Sequence, residues 1–349
     1  MTCLGDHLGS EFSPQEIAEC RNRNGLLSLE LELSRICNLR CVYCYASSGT
    51  PLENEISLTE IVDVIEQAVG LGVKKIIILG GGEPLLYPHL FEVIDFIRSK
   101  GLIADLFTNG LTLTDDVARR LFKRDIGVVL KMNSRKEAVQ DALAGKAGTH
   151  VAINKALQAL QDAGYPSEKC SLGVETIICG PNYQELPDIW RWAREQSIVP
   201  YVEAMTMQGR AKDHSNLEVN PEQVKSMFEE LSRIDREEFQ CDWQPHPPLV
   251  ASQCARHEYS CTITSIGDVH PCPGVSVSTG NIRESSLADI IANSTVIQDL
   301  RDIRNTIKGK CASCELNSEC YGCRGHAYHV SGDYLAEDTL CWLKKNSET

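Results

Sequence analysis

The 349-residue chain lacks the features that direct a protein out of the cell or into a bilayer. Its N-terminus, Met1-Thr2-Cys3-Leu4-Gly5-Asp6-His7, has no basic start followed by a long apolar run, and no stretch approaches about 18 consecutive apolar residues. Neither a secretory signal nor a membrane span is expected, and the chain reads as cytoplasmic. It is also short of positive charge. Lys and Arg number 34 against 48 Asp and Glu, a formal net charge of −14, and such a field repels phosphate backbones and anionic lipid. Nucleic acid and membrane are therefore not expected as partners. There is no internal repeat and no low-complexity tract. Cysteine, at about 4.6%, falls below the roughly 8–10% of a small disulfide scaffold.

What is present is an ordinary globular composition, 42% hydrophobic and 23% charged, with sixteen cysteines in unusual clusters. The length suits roughly two domains. In a reducing compartment, clustered thiols are better read as metal ligands than as disulfides.

From Leu27 onward, short apolar runs alternate with helix-period stretches, the pattern of βα units around a parallel sheet. Strands are expected over 29–34, 75–79, 103–108, 128–133, 171–178 and 199–204. Ser57-Leu58-Thr59-Glu60 is a capping box opening the first crossover helix, and further helices are expected over 89–99, 114–123, 150–163 and 185–195. Six such units imply an α/β fold, a partial or closed barrel. After Gly209-Arg210 the alternation stops. Asn220-Pro221 caps one more helix to about residue 234, and the proline-rich run Asp242-Trp243-Gln244-Pro245-His246-Pro247-Pro248 precedes a region with eight cysteines. The expected organisation is an N-terminal segment 1–24, a barrel 25–212, a linker helix and loop 213–250, and a cysteine-rich domain 251–349, two different folds joined once.

The first expected strand runs into Cys37-Asn38-Leu39-Arg40-Cys41-Val42-Tyr43-Cys44, a C-x3-C-x2-C spacing. Three thiolates on one short loop can hold three corners of a cubane [4Fe–4S] cluster and leave the fourth iron open to a substrate or cofactor. A structural zinc ion wants a fourth protein ligand, and no Cys or His lies within the next forty residues. A zinc loop or buried free thiols is the competing reading.

This motif after the first strand of a βα barrel resembles the radical S-adenosylmethionine (SAM) superfamily. Leu79-Gly80-Gly81-Gly82-Glu83-Pro84 resembles that family's GGEP segment, whose backbone binds the SAM amino group. Glycine suits this task, because without a Cβ the chain can come close to a ligand. The resemblance makes Gly81, Gly82, Glu83 and Pro84 cofactor-binding, adds Asn109 of Thr108-Asn109-Gly110, and places Asn133 and Ser134 of Lys131-Met132-Asn133-Ser134 at the SAM ribose. Side chains that satisfy strand-end backbone groups are the alternative for Asn133 and Ser134. Tyr43 would pack at the adenine, or simply in the core. By the same resemblance the open iron chelates the SAM amino and carboxylate groups, and an electron from the cluster cleaves the sulfonium. Methionine and a 5′-deoxyadenosyl radical result, and the radical abstracts hydrogen from unactivated C–H bonds.

The C-terminal cysteines read Cys254-x6-Cys261-x5-Gly267-x4-Cys272, then Cys311-x2-Cys314-x5-Cys320-x2-Cys323, then Cys341. This order, with Cys320-Tyr321-Gly322-Cys323-Arg324-Gly325-His326, resembles the SPASM domain, a small iron–sulfur extension of radical SAM enzymes with two auxiliary [4Fe–4S] clusters. The resemblance assigns Cys254, Cys261, Cys272 and Cys323 to the nearer cluster and Cys311, Cys314, Cys320 and Cys341 to the outer one, three clusters in all. Two zinc sites are the alternative when this region is read alone. Full cysteine ligation leaves no open iron and suits electron transfer. Cys3, Cys20, Cys170, Cys179 and Cys241 have no partner spacing and are read as small buried hydrophobes.

Sulfatase-maturing members of the group carry an Asp base just after the cysteine that matches Cys272. Pro273-Gly274 stands here instead, which argues against formylglycine formation. Glu175, Tyr201, Glu203 and His270 are the remaining candidates for a catalytic base. Fewer than thirty residues precede the first expected strand, too few for a leader-binding winged helix, so a leader-bound peptide would need a separate recognition protein. Asn133-Ser134 with Leu143-Ala144-Gly145-Lys146-Ala147-Gly148 resembles maturases associated with tungsten-dependent oxidoreductases. The leading expectation is oxidative modification of a peptide, protein or cofactor precursor, with a flavodoxin- or ferredoxin-type electron donor and an auxiliary cluster receiving the substrate's electron. A radical SAM small-molecule epimerase, dehydrogenase or decarboxylase is the runner-up. A non-catalytic electron carrier or zinc protein is the alternative of a different class.

Overall fold

Leucine and glutamate alternate through the first strand, Ser28–Ser34 (β1), and the pleat sends them to opposite faces. Leu29, Leu31 and Leu33 enter the largest apolar core, while Glu30 and Glu32 are buried on the other side of the sheet. The computed structural model describes residues 12–245 and 254–343. After a first helix, Pro14–Asn22 (α1), and β1, five strands follow in parallel order: Lys75–Gly81 (β2), Ile103–Thr108 (β3), Gly127–Lys131 (β4), Leu172–Ile178 (β5) and Val199–Ala204 (β6).

The crossovers carry Leu58–Gly70 (α2), Leu90–Ser99 (α3), Asp115–Phe122 (α4), Glu137–Ala144 (α5) with Thr149–Ala163 (α6), and Leu186–Glu195 (α7). At the start of α2 the Ser57 hydroxyl accepts from Glu60 N at 3.3 Å, and Ser57 N donates to the Glu60 carboxylate at 2.8 Å. Ile61, Val64, Ile65 and Ala68 then face the sheet from one stripe. The result is a partial (βα)6 barrel followed by a small C-terminal cysteine-rich domain.

That domain is joined to the barrel by more than the chain. Its strand Ser260–Ile263 (β7) pairs in parallel with β1, Cys261 opposite Leu29 and Thr262 opposite Glu30, and Val269–His270 (β8) lies antiparallel on β7. The sheet order is β6-β5-β4-β3-β2-β1-β7-β8. A strand as buried as β1 cannot leave one row of amides and carbonyls unpaired, and β7 satisfies that row.

Pro221–Glu238 (α8), expected as a linker helix, is packed on α7. Phe228 and Trp190 share a core, and the buried Asp235 accepts from Trp190 Nε1 at 2.8 Å and from Arg194 Nε and Nη2 at 2.9 and 2.6 Å. The remaining helices are Arg256–Tyr259 (α9), Leu287–Asn293 (α10), Thr295–Arg301 (α11), Ile303–Thr306 (α12) and Arg324–Ser331 (α13). Cys20, Cys170 and Cys179 are buried, and Cys241 is buried and disulfide-bonded, a departure from the free thiol expected there. Cys3 and residues 246–248 of the proline-rich run lie outside the described residues. Among the described residues no helix is long and apolar enough to cross a membrane.

At the N-terminal ends of the strands, Lys75 of β2 and Asp105 of β3 form an ion pair at 2.5 Å, with 3% and 4% of their side chains exposed. Removing one partner of such a pair leaves a buried charge poorly compensated. Asp105→Ala should therefore cost about 3–5 kcal/mol of unfolding free energy, read as a lower guanidinium midpoint under anaerobic conditions. A loss below about 1 kcal/mol would show that the pair adds no more than an exposed one.

Candidate active site

At the C-terminal end of β1 the loop carrying Cys37, Cys41 and Cys44 is clamped from two directions. Arg40 N donates to Ala144 O at 3.3 Å and Val42 N to Leu143 O at 3.0 Å, which docks the loop on the end of α5. From beyond β6, Arg210 donates through Nε to Cys41 O at 2.8 Å and through its backbone N to Cys44 O at 3.0 Å. Gly209, at φ +55°, makes this approach possible, because a Cβ there would collide with the Cys44 and Tyr45 carbonyls. All three thiols line a cavity of about 340 Å³ at the C-terminal ends of the strands, the end of a barrel where loops gather into active sites. Burial pushes the Cys37 thiol up and the Cys41 thiol up to about 11. Thiolates held there need a cation to offset the cost of ionisation, and bound iron supplies it.

The glycine segment ending β2 lies against this loop. Glu83 N donates to Ile36 O at 2.7 Å, and a Cβ on Gly82 would strike the Ile36 carbonyl, so the close approach of the two chains requires glycine. The Glu83 side chain is turned inward. It accepts from Thr108 Oγ1 at 2.6 Å, Asn109 N at 2.7 Å and Leu85 N at 3.0 Å, tying β2 to β3, and burial raises its carboxyl despite these bonds. Gly81, Gly82, Glu83, Asn109 and Tyr43 all border the cavity; Pro84 does not. Asn109 Nδ2 donates to Asn38 Oδ1 at 2.8 Å and stands 3.9 Å from Cys37 Sγ.

Asn133 and Ser134 are fully buried and do not border the cavity. Their backbone N–H groups donate to Gln140 Oε1 at 2.7 and 3.0 Å, Asn133 Oδ1 accepts from Ile177 N at 2.8 Å, and the Ser134 hydroxyl donates to Glu185 at 2.6 Å. These bonds brace the end of β4, while Asn133 Nδ2 is buried without a hydrogen-bond partner. His270, on β8, is also away from the cavity, and burial holds its imidazole below the usual histidine range.

Glu175, Tyr201 and Glu203 do meet in the cavity, joined by residues the sequence reading had not singled out as site residues. Lys131 Nζ pairs with Glu175 at 2.9 Å. Arg256 Nη1 lies 3.2 Å from Glu30 and 3.8 Å from Glu203, and its Nη2 donates to the Tyr201 hydroxyl at 2.6 Å. Tyr201 in turn donates to Glu203. Burial raises the carboxyls of Glu30 and Glu175, with Arg256 and Lys131 respectively opposing it, and burial also raises the Tyr201 hydroxyl well above its usual range. Phe107, Ile77, Leu79 and Ile177 supply apolar wall. The signal for Glu30 was in the sequence, since acids alternating with leucines in β1 must share one face.

The same cavity is bordered by Cys254, Cys272 and Cys323. Burial raises the Cys272 thiol, and the neighbouring Cys323 and Cys254 raise it further. Next to Pro273, which takes the place of the Asp base, Gly274 packs its backbone on Gly325, where a Cβ on either glycine would meet the other. Arg324 is buried beside these thiols, and its Nε and Nη2 have no hydrogen-bond partner. Orphaned cationic donors next to buried thiols fit a negatively charged iron–sulfur cluster.

Farther out, Cys320 is pushed up to about 11 by burial, with Cys341 and Cys311 as neighbours, and Cys314 N donates to Cys311 O at 3.4 Å. Asp338 stands between the two groups: it accepts from Cys323 N at 2.6 Å, His326 Nδ1 at 2.8 Å and Leu340 N at 2.9 Å. Thiols at the corners of a four-iron cube stand wider apart than ligands of a single ion. Among the described residues no three His, Cys, Asp or Glu side chains are gathered for one metal ion. Cys261 joins neither group: it sits in the apolar core outside the sheet.

Comparison with known proteins agrees with this geometry. Residues 31–193 match the radical SAM superfamily and residues 254–315 an iron–sulfur cluster-binding domain, SPASM. The AdoMet-dependent heme synthase of Methanosarcina barkeri is 31% identical over 340 residues, covering 89% of this chain and 94% of that protein. The mycofactocin maturase of Mycolicibacterium smegmatis is 27% identical, covering 86% and 79%. A tungsten-containing aldehyde ferredoxin oxidoreductase cofactor-modifying protein of Pyrococcus furiosus is 24% identical, covering 84% and 88%. Among solved structures, Streptococcus suis SuiB bound to S-adenosylmethionine superposes with a TM-score of 0.72 at 20% identity, over 93% of this chain and 80% of that one, a likeness of fold. With a relative this similar along nearly its whole length, and with both of its halves matched, the chain belongs to the radical SAM superfamily, in the subgroup that carries a SPASM domain.

Proposed function

We propose that this chain holds three four-iron clusters and oxidatively modifies a small, carboxylate-bearing cofactor precursor of the tetrapyrrole class. One observation carries the oxidative reading: Cys37, Cys41 and Cys44 border the same cavity as Cys254, Cys272 and Cys323. A substrate there lies between the place where a hydrogen atom is removed and a place that can receive the remaining electron. When bound, SAM and the first cluster supply reductive cleavage of the sulfonium and hydrogen-atom abstraction. Tyr43, Gly81, Gly82 and Asn109 face SAM, and Glu83 braces the loops that present them.

Arg256 and Lys131 are half-buried cations lining the cavity, able to turn toward substrate carboxylates from their present partners, Glu30 and Glu203 for Arg256 and Glu175 for Lys131. Tyr201 keeps its proton and orients Arg256. Glu175, whose carboxyl burial raises, takes up a released proton more readily than an exposed glutamate. The outer thiols, Cys311, Cys314, Cys320 and Cys341, lead the electron away to a flavodoxin- or ferredoxin-type carrier. The tetrapyrrole assignment follows the heme synthase relatives.

The test is anaerobic turnover with SAM, a reductant and carboxylated tetrapyrrole precursors of heme. The expected result is one 5′-deoxyadenosine per product and a product poorer in hydrogen than its precursor. A product of unchanged mass, with deuterium taken from solvent, would replace the oxidative reading with a redox-neutral one.

A further inference from the structure

The family pattern asks Cys261 to be the fourth thiolate of the nearer auxiliary cluster, and the sheet does not allow it. In β7, Ser260 and Thr262 share the face of Glu30, and the Thr262 hydroxyl donates to Glu30 Oε2 at 2.6 Å. Cys261 and Ile263 must then point the other way. Cys261, 1% exposed, packs among Leu29, Leu31 and Ile263 in the main core, on the side of α1 and α11. Bringing it to the cavity would need a one-residue slip of β7. That slip would turn Ser260 and Thr262 into the core and leave the buried Glu30 without its hydroxyl donor. The register is pinned by four consecutive pairs with β1, Ser28 to Leu31 against Ser260 to Ile263. No comparable obstacle touches Cys254, Cys272 and Cys323, which border one cavity.

We propose that the nearer auxiliary cluster is held by only three thiolates of this chain, Cys254, Cys272 and Cys323, and that its fourth iron opens into the cavity to take an oxygen ligand from the substrate, a carboxylate. The cluster itself rests on the function proposed above; the exclusion of Cys261 rests on strand register. A substrate carboxylate on that iron would join the reacting molecule directly to its electron acceptor. His257 is the protein side chain on this wall that could compete, since its Nδ1 is buried without a hydrogen-bond partner.

The experiment has two arms. In the first, Cys261→Ala and the volume-keeping Cys261→Val are purified anaerobically beside wild type and beside Cys254→Ala, Cys272→Ala and Cys323→Ala. Both Cys261 variants should keep the wild-type iron content, while each of the other three should lose about four irons per chain. Loss of four irons from folded Cys261 variants overturns the proposal and leaves the three-cluster reading intact. A wild-type content near four irons overturns both.

In the second arm, a variant with Cys37, Cys41 and Cys44 all replaced by alanine carries no SAM-binding iron, so any exogenous ligand must report an auxiliary cluster. Adding 13C-cyanide, and separately 13C-carboxylate-labelled precursor, to the reduced protein should shift one EPR signal and give 13C hyperfine coupling. An unchanged spectrum, or histidine nitrogen coupling before any ligand is added, overturns the open iron.

Discussion

With Cys37, Cys41 and Cys44 changed together to alanine, formation of 5′-deoxyadenosine should fall more than about a thousandfold, to background, because the cofactor carries the hard chemistry and the protein has no substitute for it. Iron should fall by about four per chain, with the C-terminal clusters left in place. The selectivity follows from construction. The first loop is clamped by α5 and by Arg210, whereas the other thiols stand beside α9, β8 and α13 and in the loops around them. The two sets share a cavity, and β7 meets β1 at Ser28–Leu31, ahead of the first cysteine loop. Retained SAM cleavage in the triple variant would remove the catalytic reading of this loop.

The second large effect should come from a residue that binds no iron. Asp338 is fully buried and accepts three hydrogen bonds, from the amides of Cys323 and Leu340 and from His326. It thereby fixes Cys323 of the nearer group and the segment leading to Cys341 of the outer one. Asp338→Ala leaves these donors unsatisfied, and at about 1–3 kcal/mol for each the local fold should not hold either auxiliary site. Up to about eight irons per chain should be lost, with the melting temperature lowered and SAM cleavage retained. Full iron content in this variant would show that the thiols order the region without the carboxylate.

The barrel was legible because its signals are long and redundant. β2 and β4 are apolar runs, β1 alternates leucine with glutamate, and α2 declares its start through Ser57 and Glu60. The cavity was legible only where a motif marked it. Cys37 to Cys44 and Gly80 to Glu83 are compact, while Lys131 and Arg256 reach the same wall from residues far apart in sequence, which no spacing reveals. Asn133 and Ser134 were ambiguous because a strand end has two customers for a polar side chain, the ligand and the backbone: Asn133 Oδ1 accepts from Ile177 N, while its Nδ2 is left without a partner. The facing of Cys261 was hidden for a different reason. Its distance from Cys254 suits a cluster, but its facing depends on whether β7 exists and in which register, and a four-residue strand paired with a partner so remote leaves little trace in sequence. The Ser13-Pro14-Gln15-Glu16 box that opens α1 is a local signal of the same kind.

The β1–β7 pairing also sets the order in which the chain can become itself. Thr262 and Glu30 are 232 residues apart, so during synthesis at about 5–20 residues per second β1 waits roughly 10–50 s for the strand that covers its free edge. Strands β2 to β6 can assemble on its other side in that interval, leaving a nascent half-barrel with one adhesive border. Metal loading therefore competes with time as well as with oxygen: until β7 arrives, the first cysteine loop belongs to a structure that is still open on one flank.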